Sequence, residues 1–204
     1  MTLPELLAWI ERHDDWVYAL ILMYAVGKTG PLPMVAGYAA ALGALQWGWL
    51  LGLTVAGTVL GAQARFAVGR HLSPWLYRRL PRAAPWVALA SAGVERYNWS
   101  VLGLYRFVKG AFSIVGLGAG ASLLPWRRHL FVDSLGALVW ASAMVSIGHG
   151  LGVLGAAFDP RWSAYVGLGL LATSILFVAL AGRHIKKRLL PLAEKIQTSR
   201  QNKQ

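Results

Sequence analysis

Three predominantly apolar segments, each long enough to span a membrane, lie at residues 46–68, 130–153 and 164–181. A helix needs about 20 apolar residues, within a range of about 17–25, to cross the hydrocarbon core of a bilayer. Hydrophobic residues make up 56% of the sequence and charged residues only 14%, which is more apolar than an ordinary soluble domain. The sequence therefore predicts an all-α integral membrane protein with about three transmembrane helices.

Two further apolar segments are interrupted in the middle. Residues 16–45 contain "GKTGPLP", and residues 98–124 contain "KGAFSIVGLGAG". Each half is too short to cross a bilayer, and broken backbone at membrane depth is tolerated only where protein or a water-filled cavity covers it. We expect two re-entrant hairpins, with kinked ordinary spans as the alternative.

Short similarities indicate an internal repeat. "AVGRHL" at 67–72 resembles "SIGHGL" at 146–151, and "AG" occurs at 36–37 and again at 119–120. A hairpin followed by a span would then occur twice, and the crossing between the copies would invert one relative to the other. Inverted repeats with broken helices are typical of transporters, whose sites lie near the midplane.

The distribution of charge predicts the organisation of the chain. Residues 1–15 read as an interfacial amphipathic helix, 16–182 as the membrane domain and 183–204 as a basic cytoplasmic tail. Residues 70–96, a central loop, contain five Arg and one Glu, and the tail contains seven Lys or Arg and one Glu. Both should be cytoplasmic, with an external N-terminus. The net charge of +12 fits anionic lipid headgroups rather than nucleic acid.

Nucleotide-binding motifs are incomplete. "GKT" at 27–29 lacks the earlier glycine of a phosphate-binding loop, because Leu22 stands in its place, and "GLGAG" at 116–120 lacks a βαβ context. The chain has no Cys, which excludes disulfides and cysteine-based metal or redox sites. We expect no cofactor.

Acidic residues are too few and too scattered for catalysis. Of eight acids, only Asp133 lies inside a predicted span, and His129 is four residues earlier on the same helix face. The two could form a catalytic dyad, but a His–Asp hydrogen bond is the favoured interpretation. His149 reads as a packing or capping residue. The pair supplies too few ligands for a metal, so the chain is predicted not to be an enzyme and to hold no metal.

Two cations occupy the second broken segment. Arg106 and Lys109 have no acid between Gly103 and Trp126, and a buried cation in a membrane is costly. They could snorkel to the headgroups, as we expect of Arg65. Alternatively they face a polar cavity and a bound anion is their counter-ion, with Lys28 in a comparable place at the first break. Nearby half-helix N-termini would favour a phosphate.

Four stretches resemble the DedA family of bacterial membrane proteins, which share the VTT domain. They are "AGYAAALGAL" (36–45), "GAQARFAVGR" (61–70), "ERYNWSVLGLYRF" (95–107) and "RRHLFVDSLGALVWA" (127–141). The resemblance implies two opposed re-entrant hairpins and lipid translocation. It also implies roles for the matching residues Arg106, Gly110 and Arg70.

Several positions depart from the family pattern. Ala62 replaces its Asp, Phe66 its Tyr, Lys109 its Pro, Phe112 its second Arg and Asp133 its Asn, and the acid expected near the first hairpin is absent. The anion-facing Arg therefore survives without the acids, which favours passive scrambling, or a divergent substrate, over proton coupling.

Together these features predict a flippase or scramblase of the bacterial inner membrane, multi-pass, for a phosphate-headed lipid such as undecaprenyl phosphate or a phospholipid. The predicted substrate-binding residues are Arg106, Lys109, Lys28, Gly110 and Asp133. Membrane lipids and anionic headgroups are the expected partners, nucleic acid is not, and homo-oligomerisation is left open. The alternative is a non-transporting membrane protein that organises a partner or maintains membrane integrity.

Cysteine labelling tests the predicted topology, because the chain has no native Cys. A cysteine substituted for Arg82 should be protected from an impermeant thiol reagent added outside intact cells, since residues 70–96 are predicted to be cytoplasmic. A cysteine near the N-terminus, at Thr2, should react. Labelling at position 82 from outside would overturn this topology.

Overall fold

The structure is a computed structural model that describes residues 3–27, 30–79, 84–107 and 111–156, together with Gly169 and Leu176. This part of the chain is helical and contains no β-strand, which confirms the all-α class. The elements are α1 (Leu3–Arg12), α2 (Asp14–Gly27), α3 (Leu32–Ala41), α4 (Trp47–Arg79), α5 (Ala84–Leu104), a 3₁₀ turn (Tyr105–Phe107), α6 (Ala111–Ala121) and α7 (Trp126–Ala156). The tail predicted at 183–204 lies outside the described residues, as does the span predicted at 164–181 apart from Gly169 and Leu176.

Two helices are long and apolar enough to cross a membrane: Trp47–Trp75 of α4 and Trp126–Gly155 of α7, with mean hydropathies of 1.3 and 1.7. Only 33% and 39% of their most apolar windows are buried inside the protein. Large apolar side chains on these helices, such as Leu60 and Val139, are more than half exposed. Exposure of this extent is typical of a surface that meets hydrocarbon or another apolar partner.

The first predicted break is confirmed, since α2 ends at Gly27 and α3 begins at Leu32. Pro31 and Pro33 stand at the start of α3, where the missing N–H groups of proline cost no helical hydrogen bond. The helix ends in a Schellman motif. Gly43 has a φ of 86°, its N–H donates to the Ala40 carbonyl, and the next N–H donates to the Ala39 carbonyl.

The second break was predicted too late in the sequence. The interruption falls after Leu104, whereas α6 runs as a regular helix through most of "KGAFSIVGLGAG". Gly120, the last residue of that stretch, lies inside α6, and Gly110 lies outside the described residues. The prediction was wrong because glycine also permits close packing of intact helices, and the sequence does not separate the two uses.

The central loop predicted at 70–96 is largely helical. Helix α4 continues to Arg79, past Pro74, and α5 begins at Ala84. Hydropathy marks where a helix leaves the apolar layer, but helical hydrogen bonds continue beyond it, and arginine is a good helix former.

The chain divides into two compact units, one containing Met1–Thr58 and Leu138–Phe177, the other Val59–Ala137 and Val178–Gln204. In the second unit, α6 packs directly against the backbone of α4. A methyl group added at Gly69 would lie 2.1 Å from the carbonyl oxygen of Leu117, and one at Gly120 would lie 2.1 Å from that of Phe66. Neither glycine leaves room for a side chain.

The first unit contains the equivalent contact between α3 and α7. A methyl group added at Gly37 would lie 2.4 Å from the carbonyl oxygen of Val145, and one at Gly148 would lie 1.9 Å from that of Met34. The two helices therefore also meet backbone to backbone, which is how glycine lets membrane helices approach closely.

These contacts confirm the internal repeat. The equivalent glycines of the long helices, Gly69 and Gly148, lie 79 residues apart. Those of the short helices, Gly37 and Gly120, lie 83 residues apart. Helices α4 and α7 themselves begin at Trp47 and Trp126, with the same spacing as their glycines. In each unit the short helix of one repeat packs on the long helix of the other. The inversion of one repeat relative to the other stays a prediction.

Substitution at the paired glycines tests this packing. Gly120→Ala and Gly37→Ala should each lower the free energy of unfolding by about 1–3 kcal/mol, because the new methyl group overlaps the main chain of the opposing helix. Gly52→Ala is the matched control: Gly52 is an exposed helical glycine, and a methyl group added there would meet no atom of another element within 4 Å, so alanine should be neutral or stabilising by up to about 1 kcal/mol. Unfolding in detergent measures all three. Equal stability of Gly120→Ala and Gly52→Ala would contradict the packing.

Candidate functional site

The backbone bends sharply within α5, and the bend brings the residues on its two sides close together. Tyr97 has non-helical backbone angles, φ −129° and ψ 40°, and a methyl group added at Gly93 would lie 3.8 Å from Cγ2 of Val101. Residues eight apart in a straight helix are separated by about 12 Å. Farther along, the Leu123 N–H donates to a carboxylate oxygen of Glu95 over 3.4 Å, so the segment between them ends close to where it begins.

The 3₁₀ turn Tyr105–Phe107 carries the central residue of the site. Arg106 is 3% exposed, and its Nη2 lies 2.8 Å from Oδ2 of Asp133 on α7. The Tyr105 hydroxyl donates to the other carboxylate oxygen, Oδ1, over 2.7 Å. Both carboxylate oxygens are thus hydrogen-bonded, and the side chains of Arg106 and Asp133 are fully buried.

Aromatic rings surround the ion pair. Cζ of Arg106 lies 4.7 Å from the ring centre of Tyr105 and 5.8 Å from that of Phe112, and these two rings stack at 5.9 Å. A second guanidinium, that of Arg65 on α4, lies 4.0 Å above the Phe112 ring. Each cation–π contact is worth about 0.5–2 kcal/mol, more when it is desolvated.

Arg106 carries more hydrogen-bond donors than the carboxylate of Asp133 accepts. Nε and Nη1 of Arg106 are buried and have no hydrogen-bond partner within the described part of the chain. Arg65 interacts electrostatically with both Arg106 and Asp133, so two guanidinium groups share the field of one carboxylate. A further anion would find hydrogen-bond donors and positive charge at this place.

The hydrogen bond expected between His129 and Asp133 is absent. His129 is fully buried and stacks on Phe66 with ring centres 4.4 Å apart. Neither ring nitrogen has a hydrogen-bond partner among the described residues. The prediction assumed that His129 and Asp133 share a helix face. The carboxylate of Asp133 instead accepts hydrogen bonds from Tyr105 and Arg106. Among the described residues no three His, Cys, Asp or Glu side chains form a metal-binding group.

The expectation that Arg106 lacks an acidic partner was wrong. It rested on the absence of acids between Gly103 and Trp126, whereas the partner, Asp133, lies beyond that segment on α7. The structure does bring together two predicted site residues, Arg106 and Asp133. The other three, Lys28, Lys109 and Gly110, lie outside the described residues.

Two clefts flank the loop between α6 and α7. One, of about 440 Å³, is lined by residues that include Arg96, Arg128 and Leu123. The other, of about 370 Å³, shares Leu123 and includes Arg70 and His71. Leu123 is 88% exposed between them. Arg128 was not among the residues predicted for the site, although a pair of arginines after Trp126 is typical of the end of a membrane helix.

A double-mutant cycle tests the buried pair. Arg106→Met alone and Asp133→Leu alone should each lower the free energy of unfolding by about 3–5 kcal/mol, because each leaves an uncompensated buried charge. The double variant should be more stable than either single variant, since it leaves neither member of the ion pair without its partner. Additive losses, measured by unfolding in neutral detergent, would show that the two side chains are not paired.

Comparison with known proteins identifies the family. The model of the VTT domain matches residues 20–150. The chain is 26% identical over 137 residues to the inner membrane protein YohD of Escherichia coli (strain K12), an alignment that covers 67% of this chain and 71% of YohD. No solved structure matches the chain. The family match spans more than half of the sequence and includes both glycine-packed helix pairs and the Arg106–Asp133 site, and the chain therefore belongs to the VTT-domain, or DedA, family of membrane proteins.

Proposed function

We propose that this protein moves a phosphate-headed lipid across the bacterial inner membrane and that Arg106 holds the phosphate during the passage. Undecaprenyl phosphate and phospholipids are the candidate substrates. The observation that carries the proposal is the buried guanidinium of Arg106, which has two nitrogens without an acceptor among the described residues. Family membership and the name of YohD, an inner membrane protein, support the location.

Arginine suits this task because its planar guanidinium offers five N–H donors and remains charged in a low-dielectric environment. Only one of the three nitrogens of Arg106 is used by Asp133. The nearby Arg65 adds a second positive charge that a phosphate would share. A phosphate brings one or two negative charges, so it can interact with both guanidinium groups at once.

The segment around Arg106 supports a re-entrant arrangement. The reversal at Tyr97 and the hydrogen bond from Leu123 to Glu95 bring the two ends of the segment together. The arginines near these ends, Arg70, Arg96 and Arg128, line the two clefts. They would meet anionic headgroups on the cytoplasmic side, where a lipid begins or ends its passage.

One observation favours the alternative, a structural membrane protein without transport. Arg106 is 3% exposed and Asp133 is fully buried, and neither residue lines the two clefts beside Leu123. A permanently buried ion pair can stabilise the contact between the 3₁₀ turn and α7 and have no other role. Transport requires that this site open to lipid in another conformation, whereas a structural role does not.

Flipping assays in liposomes separate the two functions. Arg106→Ala should reduce the flipping rate of a labelled phosphate-headed lipid by roughly tenfold or more, the loss expected for a charge-assisted hydrogen bond of about 1.5–3 kcal/mol. Arg106→Lys should also impair flipping, because lysine keeps the charge but loses the planar fork. Lys109→Ala should reduce the flipping rate by a smaller factor than Arg106→Ala.

The control is Arg79→Ala, which removes the same side chain at an exposed position at the end of α4. It should flip lipid at the wild-type rate. Each variant is checked for folding before reconstitution. Normal flipping by a folded Arg106→Ala protein would exclude the proposed role of Arg106 and leave the structural function.

A further inference from the structure

We infer that Asp133 is an internal counter-ion that occupies the anion position on Arg106, and that an incoming lipid phosphate binds by displacing it. This inference rests on the proposed function. It adds that the carboxylate and the phosphate compete for the same guanidinium. The competition would set both the affinity for the lipid and the ease of its release.

The first support is the way the carboxylate is held. Its Oδ2 lies on Nη2 of Arg106 over 2.8 Å, and its Oδ1 accepts a separate hydrogen bond from Tyr105 over 2.7 Å. The bond from Tyr105 does not depend on Arg106. Asp133 therefore keeps one hydrogen-bond donor when it releases the guanidinium, and this lowers the cost of exchanging partners.

The second support comes from the internal repeat. With the spacing of 79 residues that relates α4 to α7, Thr54 is the counterpart of Asp133 and Leu50 the counterpart of His129. All four residues are fully buried. The Thr54 hydroxyl donates within its own helix, to the Leu50 carbonyl over 2.7 Å. The equivalent position in the first unit is thus buried without a charged side chain. Packing alone therefore does not require a carboxylate at position 133.

The third support is electrostatic. A buried guanidinium without a counter-charge is strongly unfavourable, so a site that binds and releases an anion needs a substitute while it is empty. Asp133 supplies that substitute. A bound phosphate would take over the same role for Arg106, while the displaced carboxylate would keep its hydrogen bond from Tyr105 and the nearby positive charge of Arg65.

Asp133→Asn tests the competition, because asparagine keeps the size of the side chain and an acceptor for Tyr105 but removes the charge. Binding is measured with a short-chain lipid carrying a phosphate monoester, with the matching neutral diacylglycerol, and with inorganic phosphate. We expect Asp133→Asn to bind the phosphate lipid at least about tenfold more tightly than the wild type and to release it more slowly. Affinity for the neutral lipid should not change.

Two further variants complete the test. Tyr105→Phe keeps the charge of Asp133 but removes the donor that the displaced carboxylate would retain, so it should lower phosphate-lipid affinity. Asp15→Asn removes an exposed acid from α2 and should leave affinity unchanged. If Asp133→Asn is unstable in neutral lipid, the inference predicts that the phosphate lipid restores its melting temperature. Equal melting temperatures in the two lipids would overturn the inference.

Failure of the inference can be distinguished from failure of the proposed function. If Arg106→Ala abolishes binding but Asp133→Asn binds no more tightly than the wild type, the inference is wrong and the proposed function stands. If neither substitution changes binding, both are wrong. If inorganic phosphate binds Asp133→Asn as tightly as the lipid does, the ligand is free phosphate, and the lipid part of the inference is overturned.

Discussion

A buried guanidinium in an apolar protein is the constraint around which the second unit is organised. Arginine at membrane depth costs roughly 2.5–3.5 kcal/mol on insertion scales, and the cost falls only when a counter-charge and hydrogen-bond acceptors surround it. Asp133 supplies the charge, and Tyr105 and Phe112 supply aromatic faces. The reversal at Tyr97 and the 3₁₀ turn at Tyr105–Phe107 are the local features that place Arg106 against α7.

The scaffold that supports this site is a repeated helix pair. In each unit a short helix packs on a long helix through two glycines whose positions leave no space for a methyl group. Contacts of this kind are rigid, because main-chain atoms cannot change rotamer to relieve an overlap. The repeat is not symmetric in chemistry: the second unit has His129 and Asp133 where the first has Leu50 and Thr54. A common packing scheme thus carries an ionic site in one unit only.

Much of this organisation could be predicted from the sequence, because it depends on local patterns. The apolar runs predicted α4 and α7, the "GKTGPLP" stretch predicted the end of α2, and short similarities predicted the repeat that the glycine contacts confirm. What failed depended on three-dimensional neighbours. Asp133 was not recognised as the partner of Arg106, because they lie on different elements. Gly120 lies inside α6, although the stretch that it ends was predicted to be the break. Residues 70–96 were assigned to a loop because hydropathy does not report where a helix ends.

The central claim is that Arg106 exchanges Asp133 for a lipid phosphate, and solid-state NMR in bilayers measures this directly. With ¹⁵N-labelled arginine and ¹³C-labelled aspartate, the Arg106 guanidinium should show a dipolar contact with the Asp133 carboxylate in neutral lipid. At saturating phosphate-headed lipid, that contact should weaken and a ¹⁵N–³¹P contact should replace it. Persistence of the Asp133 contact with no ³¹P contact at saturation would contradict the account and identify the pair as a permanent structural bond.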